Sequence, residues 1–286
     1  MLESLINPKN AEKGPWKMFF VGLVYASLSL LLVHFLFSSD PVLAEASGMM
    51  VVLFCVMFSL PFMYYMIKNE ESQDEETTSL IDVWKVHSDA ISGFMWLFLG
   101  FIIAFSFWYI ILQNPNLLNV QIETYCNINN PGNIEDCVAE FSFAGHAISS
   151  NTLSNGSKLI SIMGNNFGVM VFTLIFSLIF GAGAIFVLAW NASVISAAVG
   201  IFANYNVSEI PMGILRYMIH GFPEIAAYFI TALAGGMFGV EIIKNGVGST
   251  KFMKVLANVI FLVLIAILIL VIAAFMEVYL TPLLFR

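Results

Sequence analysis

The sequence predicts an all-α fold, a polytopic transmembrane helical bundle of about six spans with an additional broken or re-entrant pair of short helices. Of the 286 residues, 59% are hydrophobic and only 10% are charged, and the mean hydropathy is +0.89. Soluble domains carry about 25% charged residues. Several apolar runs also approach the roughly 20 residues that a helix needs to cross a bilayer. Together these observations predict a multi-pass membrane protein.

The distribution of charge sets the expected orientation. Lys9, Lys13 and Lys17 precede the first apolar run, which continues as a full span and is therefore unlike a cleavable signal peptide. Because positively charged flanks stay in the cytoplasm, we expect a cytoplasmic N-terminus in the cell membrane. The net charge of −8 comes mostly from one acidic run and gives no reason to expect nucleic acid as a partner.

The first region, residues 1–113, holds three predicted spans. We expect them at roughly 18–37, 43–67 and 93–113. The second span contains Pro61, which removes one backbone N–H, so we expect a kink whose freed carbonyl is satisfied by neighbouring helices.

A cytoplasmic acidic loop, residues 68–92, is expected between the second and third spans. Its first half is too acidic to pack. Its second half, from about residue 77, predicts a short interfacial helix because apolar and aromatic side chains recur at helical spacing; these are Leu80, Ile81, Trp84 and His87. The segment is either a solvated loop or a docking site for a partner.

A polar, Asn-rich loop, residues 114–164, follows the third span and is expected outside the cell. Cys126 and Cys137 enclose only ten residues and can form a disulfide worth about 2–4 kcal/mol, which persists only in an oxidising compartment. Asn155 begins an Asn-Gly-Ser glycosylation sequon. Cys55 lies in the middle of a span and is expected to be a small core residue.

The last region, residues 165–286, begins with a predicted span at 165–191. Residues 192–203 and 210–219 are then each too short to cross, so we expect a broken or re-entrant helix over 192–219.

The remaining spans are expected at roughly 222–243 and 252–280. If the short pair does not cross, the C-terminus is cytoplasmic and three lysines are external, against the positive-inside rule. If the pair makes one net crossing, these lysines move inside; they are Lys244, Lys251 and Lys254.

Two stripes of polar and small residues follow helical spacing. One consists of His220, Glu224, Tyr228, Thr231, Gly235 and Gly239, and the other of Asn166, Thr173, Ser177, Gly181, Ala184 and Asn191. Small and hydroxyl side chains let transmembrane helices approach closely and share hydrogen bonds. We therefore expect the stripes to face each other, with helix packing through Thr173, Ser177, Gly181, Tyr228, Thr231 and Gly235.

A polar cluster is expected where the spans of this region end, near the cytoplasmic leaflet. It consists of Asn191, Arg216, His220, Glu224 and Glu277. In one interpretation Glu224 caps a helix, Arg216 pairs with a carboxylate, and the cluster pins the broken helix. In the other the cluster binds a head group, an ion or a proton, because ionisable residues inside a membrane are functional candidates.

Motifs for catalysis are missing. The sequence has no HExxH, GxSxG or Walker motif, and His220 with Glu224 supplies only two ligands for zinc. The other histidines fall on different segments; they are His34, His87 and His146. We expect no catalytic residue, no metal and no cofactor.

Two stretches carry a family resemblance. "NNFGVMVFTLIFSLIFGAGAIFVLAWNASVISAAVG" followed by "MGILRYMIHGFPEIAAYFITALAGG" resembles the stage II sporulation protein M family, whose hallmark is Pro/Ile-His-Gly-x-x-Glu-x-x-Ala after an Asn-ended glycine-rich span. "NPKNAEKGPWKMFFVGLVYASLSLLL", "FSFWYIIL" and "MEVYLTPLLF" resemble its archaeal branch. The signature falls on Asn191, His220, Gly221 and Glu224. Ile219 and Asn191-Ala192 depart from the bacterial pattern of proline and Asn-Gly.

The resemblance implies a non-enzymatic scaffold, since the bacterial namesake recruits cell-wall hydrolases during engulfment of the forespore. An archaeal cell lacks that peptidoglycan, so those partners do not transfer. We expect a scaffold or assembly partner for membrane or envelope proteins, in contact with membrane lipids and with further copies of itself as a homo-oligomer.

The alternatives are a transporter or lipid-handling protein with a cavity around His220 and Glu224, and an intramembrane metalloenzyme, which requires stoichiometric zinc. No inverted repeat is evident between the sequence halves, which counts against transport.

Overall fold

The chain is helical throughout its regular elements. The computed structural model describes residues 14–74, 80–129, 133–142, 155–180, 184–204, 206–245 and 249–285, and no strand occurs within these ranges. Six of the described helices are long and apolar enough to cross a membrane, judged by length and composition: 17–37, 91–112, 155–178, 185–203, 207–243 and 251–284. The all-α, multi-pass fold class is therefore confirmed.

The described residues of the first half of the chain form six helices. They are α1 (Lys17–Phe37), α2 (Pro41–Glu45), α3 (Ser47–Asp74), α4 (Leu80–Leu112), α5 (Asn119–Asn129) and α6 (Ile134–Ser142). A 3₁₀ turn, Pro115–Leu118, joins α4 to α5.

Five more helices lie in the described part of the second half. They are α7 (Asn155–Phe180), α8 (Ala184–Ala203), α9 (Ile210–Asn245), α10 (Thr250–Phe275) and α11 (Thr281–Leu284). A 3₁₀ turn, Val207–Glu209, precedes α9, and a π-helical turn, Met276–Leu280, joins α10 to α11.

Side-chain caps fix where several of these helices begin. The Asp40 carboxylate accepts hydrogen bonds from the backbone N–H groups of Val42 and Leu43 at 2.9 and 3.1 Å at the start of α2. The Ser249 hydroxyl accepts one from the Phe252 N–H at 3.0 Å at the start of α10. Such caps satisfy N–H groups that lack a partner in the first helical turn.

Contacts between helices define two ends of the bundle. α1 and α4 run parallel, because Phe19 near the start of α1 contacts Trp96 in the middle of α4, and Asn114 donates to Ser38 just beyond the last residues of both helices. The far end carries α2, α5 and α6, and we call it the disulfide end because Cys126 and Cys137 are bonded there. The opposite end, where Lys17 begins α1, is called the lysine end.

The remaining long helices alternate between these ends. α3 starts at the disulfide end, since Gln121 on α5 donates to the Gly48 carbonyl at 2.9 Å. α8 runs parallel to α4, with Ser196 bonded to the Ile102 carbonyl at 3.1 Å. α7 and α9 run the opposite way, towards the lysine end, and α10 returns from it.

The predicted span 165–191 is not a single helix. α7 ends at Phe180 and α8 begins at Ala184, and the two run antiparallel because Phe176 packs against Phe186 with ring centroids 6.3 Å apart. The chain therefore reverses its direction between α7 and α8; residues 181–183 lie outside the described residues. Asn191 lies inside α8 and does not end a span.

The predicted broken helix over 192–219 is not a separate pair of short helices. Residues 192–203 form the second half of α8, and residues 210–219 form the start of the 36-residue helix α9, which continues through Pro223. This region therefore contains a helix long enough for one net crossing, as in the second alternative. Lys251 and Lys254 lie at the lysine end, as the positive-inside rule favours.

The expected acidic loop is largely helical. α3 extends to Asp74 through Pro61, and α4 begins at Leu80, so the expected interfacial helix is continuous with the following span. Residues 75–79 lie outside the described residues.

Two groups of three helices repeat one arrangement in opposite directions. α1 and α4 run parallel and touch through Gly22 and Gly100, with α3 between them in sequence. α7 and α9 run parallel and touch at Gly235 and Gly239, with α8 between them in sequence. Corresponding helices of the two groups point in opposite directions, which is the arrangement of an inverted-topology repeat. The sequence halves gave no indication of it.

Candidate functional site

A hydrogen bond between α7 and α9 holds the first of the predicted site residues. The side-chain N–H of Asn166, which is buried, donates to the Glu224 carboxylate at 2.5 Å. Glu224 lies well inside α9 and is half-buried. It therefore does not cap a helix, because the first turn of α9 begins at Ile210.

His220 is held one turn earlier on α9 by the C-terminal segment. Its Nδ1 lies 3.2 Å from the Thr281 hydroxyl, which donates to the Met276 carbonyl at 3.2 Å across the π-helical turn. A hydroxyl has one proton to donate, so this pair of contacts is satisfied when His Nδ1–H donates to Thr281. The Nε2 nitrogen is then left as an acceptor.

Charged side chains approach the same space from three helices. Glu277, on the π-helical turn, is close enough to interact electrostatically with Glu224 and with Lys158 on the first turn of α7. Arg216 on α9 interacts with His220, and its guanidinium carbon lies 5.4 Å from the centre of the Phe202 ring.

The pairing of Arg216 with a carboxylate, which one of the two interpretations included, is not formed among the described residues. Among the described residues, the charged groups that act on Glu224 and Glu277 do not include Arg216. Its positive charge rests on an aromatic face, which stabilises a cation without neutralising it.

These groups line a cavity of about 650 Å³ at the disulfide end. Its walls come from α5, α7, α8, α9 and the C-terminal segment, and its ionisable or hydroxyl lining includes Tyr125, Lys158, Arg216, His220, Glu277 and Thr281. Glu224 lies beside this cavity through its interactions with Asn166 and Glu277.

A second cavity of about 520 Å³ runs between α7 and α8. It is lined by apolar and aromatic side chains that include Phe172, Phe186 and Trp190, and it contains Asn191. Asn191 donates to the Val187 carbonyl in its own helix at 2.7 Å. The structure therefore brings Arg216, His220, Glu224 and Glu277 together and places Asn191 in the neighbouring cavity.

The two cavities adjoin. Both are lined by Ile128 and Val194, and the second extends farther along α7 and α8 towards the lysine end. Phe172 and the two glycines Gly164 and Gly168 on the α7 wall are exposed, so this second cavity opens sideways from the bundle.

The cluster lies at the disulfide end, whereas the sequence placed it near the cytoplasmic leaflet with the disulfide loop on the other side. The reversal of the chain between α7 and α8 accounts for the difference. It adds one crossing and moves the start of α9 to the side that carries Cys126 and Cys137.

The two predicted stripes lie against each other over most of their length. A Cβ added at Gly235 would lie 2.6 Å from the Leu174 carbonyl oxygen and 3.1 Å from the Ser177 side chain, so α7 and α9 touch at backbone distance there. Buried Thr173, Ser177, Tyr228 and Thr231 belong to the same two helices.

Hydrogen bonds between hydroxyls of the two stripes are not formed. Thr173 and Thr231 each donate to a carbonyl in their own helix, at 2.7 and 2.8 Å, and Ser177 Oγ has no hydrogen-bond partner among the described residues. Close backbone packing and the hydrogen bond from Asn166 to Glu224 therefore join the helices. Gly181 lies outside the described residues, and Ala184 belongs to α8.

The disulfide holds a small cap over the cavity. Cys126 on α5 and Cys137 on α6 are bonded, with their Cα atoms 5.8 Å apart. Tyr125, the residue before Cys126, is hydrogen-bonded through its side chain to Tyr217 on α9. The disulfide-bonded helices are thus connected to the turn of α9 that carries Arg216.

Sequence reasoning missed three lining residues, for two different reasons. Lys158 and Tyr125 fall in the segment that was expected to be an extracellular loop, so they were not considered as parts of helices. Thr281 lies four residues after Glu277, a spacing that places both on one face of a helix and was available from the sequence. Among the described residues, no three His, Cys, Asp or Glu side chains come together as ligands for a metal ion.

The fold and the site define a multi-pass helical membrane protein with a polar cavity at one end. The sequence profile of the Stage II sporulation protein M family matches residues 50–282, and the chain belongs to that family. No curated protein and no solved structure matches the chain.

Proposed function

We propose that this protein is a non-enzymatic lipid-handling or transport protein that holds an amphiphilic ligand between α7, α8 and α9. The observation that carries the proposal is the cavity of about 650 Å³, which unites Arg216, His220 and Glu277 within helices that are otherwise apolar. Ligand sites typically measure about 300–1,000 Å³ and combine apolar walls with a few convergent polar groups.

The energetics of the charged residues support a binding role. A charged side chain near the centre of a membrane helix costs about 2.5–3.5 kcal/mol on insertion scales and less near the ends. Arg216 has no carboxylate partner among the described residues that would offset this cost. A bound ligand with opposite charge supplies the missing partner.

The arrangement of helices supports transport in particular. Many secondary transporters are built from repeats of opposite topology, with the binding site near the boundary between them. The two three-helix groups of this chain have that relation, and α8 of the second group packs against α4 of the first.

We place the N-terminus in the cytoplasm of a cell whose plasma membrane holds the protein. The proposal rests on Lys17, Lys251 and Lys254, which share the lysine end. In this orientation the cavity and the disulfide lie on the outer side, where an oxidising environment maintains the Cys126–Cys137 bond.

Native mass spectrometry of the protein released from mild detergent tests ligand binding. We expect the wild-type chain to retain at least one lipid, and Val194→Trp to lose it, because Val194 lines both cavities. Leu264→Trp is the matched control, since Leu264 is 59% exposed on the outer face of α10. A wild-type protein that is free of lipid under these conditions would contradict the proposal.

A second candidate function is a scaffold for other membrane or envelope proteins. The observation that favours it is the cap of α5 and α6, which exposes Glu123, Glu135 and Asp136 at the disulfide end. Such a surface suits a partner with a basic face. Mild cross-linking of wild type and of the triple variant Glu123→Gln, Glu135→Gln and Asp136→Asn tests it. A chain that is always recovered alone excludes the scaffold.

A further inference from the structure

We propose that the ligand is a phosphate-bearing amphiphile. Its phosphate lies between Arg216 and Lys158, and one acyl chain lies along Trp190 in the cavity between α7 and α8. This inference rests on the proposed function and adds the chemical class of the ligand and its orientation.

Two cations line the polar cavity, and the carboxylate that acts on one of them, Lys158, is Glu277. Arg216 contacts an aromatic ring instead of a carboxylate, and Lys158 is exposed on the first turn of α7. Both line the same cavity. A guanidinium and an ammonium bind phosphate through charge-assisted hydrogen bonds.

The balance of charge in the cavity favours an anionic ligand. Glu277 is the one carboxylate among the described lining residues, while Glu224 lies beside the cavity and accepts a hydrogen bond from Asn166. The two cations of the lining, Lys158 and Arg216, outweigh this one carboxylate.

The second cavity has the properties of a site for an acyl chain. Phe172, Phe186 and Trp190 line it. On the α7 side, a Cβ added at Gly164 or Gly168 would meet no atom within 4 Å, so these glycines leave open space along the helix.

The length and direction of the two cavities match an amphiphile. From Lys158 to Phe172, α7 advances about 20 Å at a rise of about 1.5 Å per residue. The polar cavity lies at the disulfide end and the apolar cavity extends from it towards the lysine end, opening sideways. A phospholipid with its head group at the membrane surface has the same order of polar and apolar parts. Free phosphate would fill only the first cavity.

Trp190 provides a direct probe of the chain position. Full-length protein in detergent is titrated with phosphatidic acid that carries bromine on its acyl chains, which quenches tryptophan fluorescence at short range. Brominated diacylglycerol, which lacks the phosphate, is titrated in parallel. The signal from Trp190 is the difference between wild type and Trp190→Phe, because the chain has five tryptophans.

We expect saturable quenching of Trp190 by brominated phosphatidic acid and much weaker quenching by diacylglycerol. Arg216→Gln and Lys158→Gln each raise the half-saturating concentration by about 10- to 100-fold, the effect of one lost charge-assisted hydrogen bond. Arg216→Lys keeps the charge and recovers most of the binding. The matched control Lys254→Gln removes a positive charge at the lysine end and leaves the titration unchanged.

Three results would overturn the inference, and they can be distinguished from one another. Equal quenching by both lipids that neither Arg216→Gln nor Lys158→Gln alters means that a lipid binds without its phosphate contacting these cations, and the proposed function stands. Stabilisation by inorganic phosphate without quenching by the lipid identifies a soluble anion as the ligand. No saturable response to any of the three probes removes both this inference and the lipid-handling function. Lys158 is exposed, so its variant tests the phosphate contact even where Arg216→Gln does not fold.

Discussion

Asn166 on α7 donates a hydrogen bond to the Glu224 carboxylate on α9, beside a cavity whose wall carries a second carboxylate, Glu277. The bond requires an acceptor at Glu224, which a neutral amide also provides. The two carboxylates interact unfavourably when both are charged.

For Glu224→Gln we therefore expect a melting temperature equal to that of wild type or higher. Gln accepts the same hydrogen bond from Asn166, and its neutrality removes the repulsion by Glu277. The measurement is thermal unfolding in the detergent used for wild type. A loss of several degrees would show that the charge of Glu224 itself stabilises the fold.

Asn166→Ala is expected to have the opposite effect. It leaves the half-buried Glu224 carboxylate without its donor, which lowers the free energy of unfolding by about 1–3 kcal/mol. Asn127→Ala is the control, because Asn127 is an exposed residue of the same type on α5. Equal stability of both variants would mean that water replaces Asn166 at no cost.

The glycine contact between α7 and α9 is expected to tolerate no side chain. In Gly239→Ala the new methyl group meets the Leu178 carbonyl at backbone level, and overpacking of this kind costs about 1–3 kcal/mol. Gly168→Ala is the matched control on α7, since a Cβ there meets no atom within 4 Å. Thermal unfolding compares the two; indistinguishable melting temperatures would contradict the close contact.

The orientation of the helices predicts which introduced cysteines share a side of the membrane. Lys17→Cys and Lys254→Cys belong to the lysine end, whereas Glu123→Cys belongs to the disulfide end. A membrane-impermeant maleimide added to intact cells is expected to label only Glu123→Cys. Labelling of all three after permeabilisation controls for access. Labelling of Lys254→Cys together with Glu123→Cys in intact cells is incompatible with the reversal between α7 and α8.

Loss of the disulfide is expected to loosen the cap and leave the bundle folded. Cys126 and Cys137 are 11 residues apart, and chain entropy assigns about 3 kcal/mol to closing so short a loop. In the double variant to Ser, hydrogen exchange should accelerate in α5 and α6 and remain slow in α4. Cys55→Ala, which removes the buried free cysteine, controls for the loss of a thiol. Unchanged exchange in α5 would show that Tyr125 and Tyr217 suffice to hold it.

Hydropathy predicted the class of fold because long apolar runs have few alternatives to membrane helices. Hydropathy did not predict that one helix ends at Phe180 and the next begins at Ala184, and the reason is physical. The segment "GAGA" is small and apolar, so a sliding average registers no interruption where the chain turns. The length of the apolar stretch, 165–203, was the usable signal, because about 20 residues suffice for each crossing.

The site was predicted in part for a similar reason. Helical spacing alone connects His220, Glu224 and Gly235, since all three lie on α9. It carries no information on which residues of other helices meet them. Lys158 joins the cavity through packing between helices, which a single sequence does not encode as a local pattern.

The parallel pairing of α1 with α4 has a consequence for biosynthesis. Gly22 and the glycine it meets, Gly100, are 78 residues apart in the chain, which a ribosome adding about 5–20 residues per second completes in roughly 4–16 s. During those seconds the surface of α1 around Gly22 faces lipid or the insertion machinery, because the part of α4 that packs on it has not yet been translated. The same delay applies to α7 and α9. The ribosome makes α8 between them, so the glycines of α9 reach α7 only after α8 has entered the membrane. Assembly of this bundle is therefore ordered by the progress of translation, and each tight junction closes only when the third helix of its group arrives.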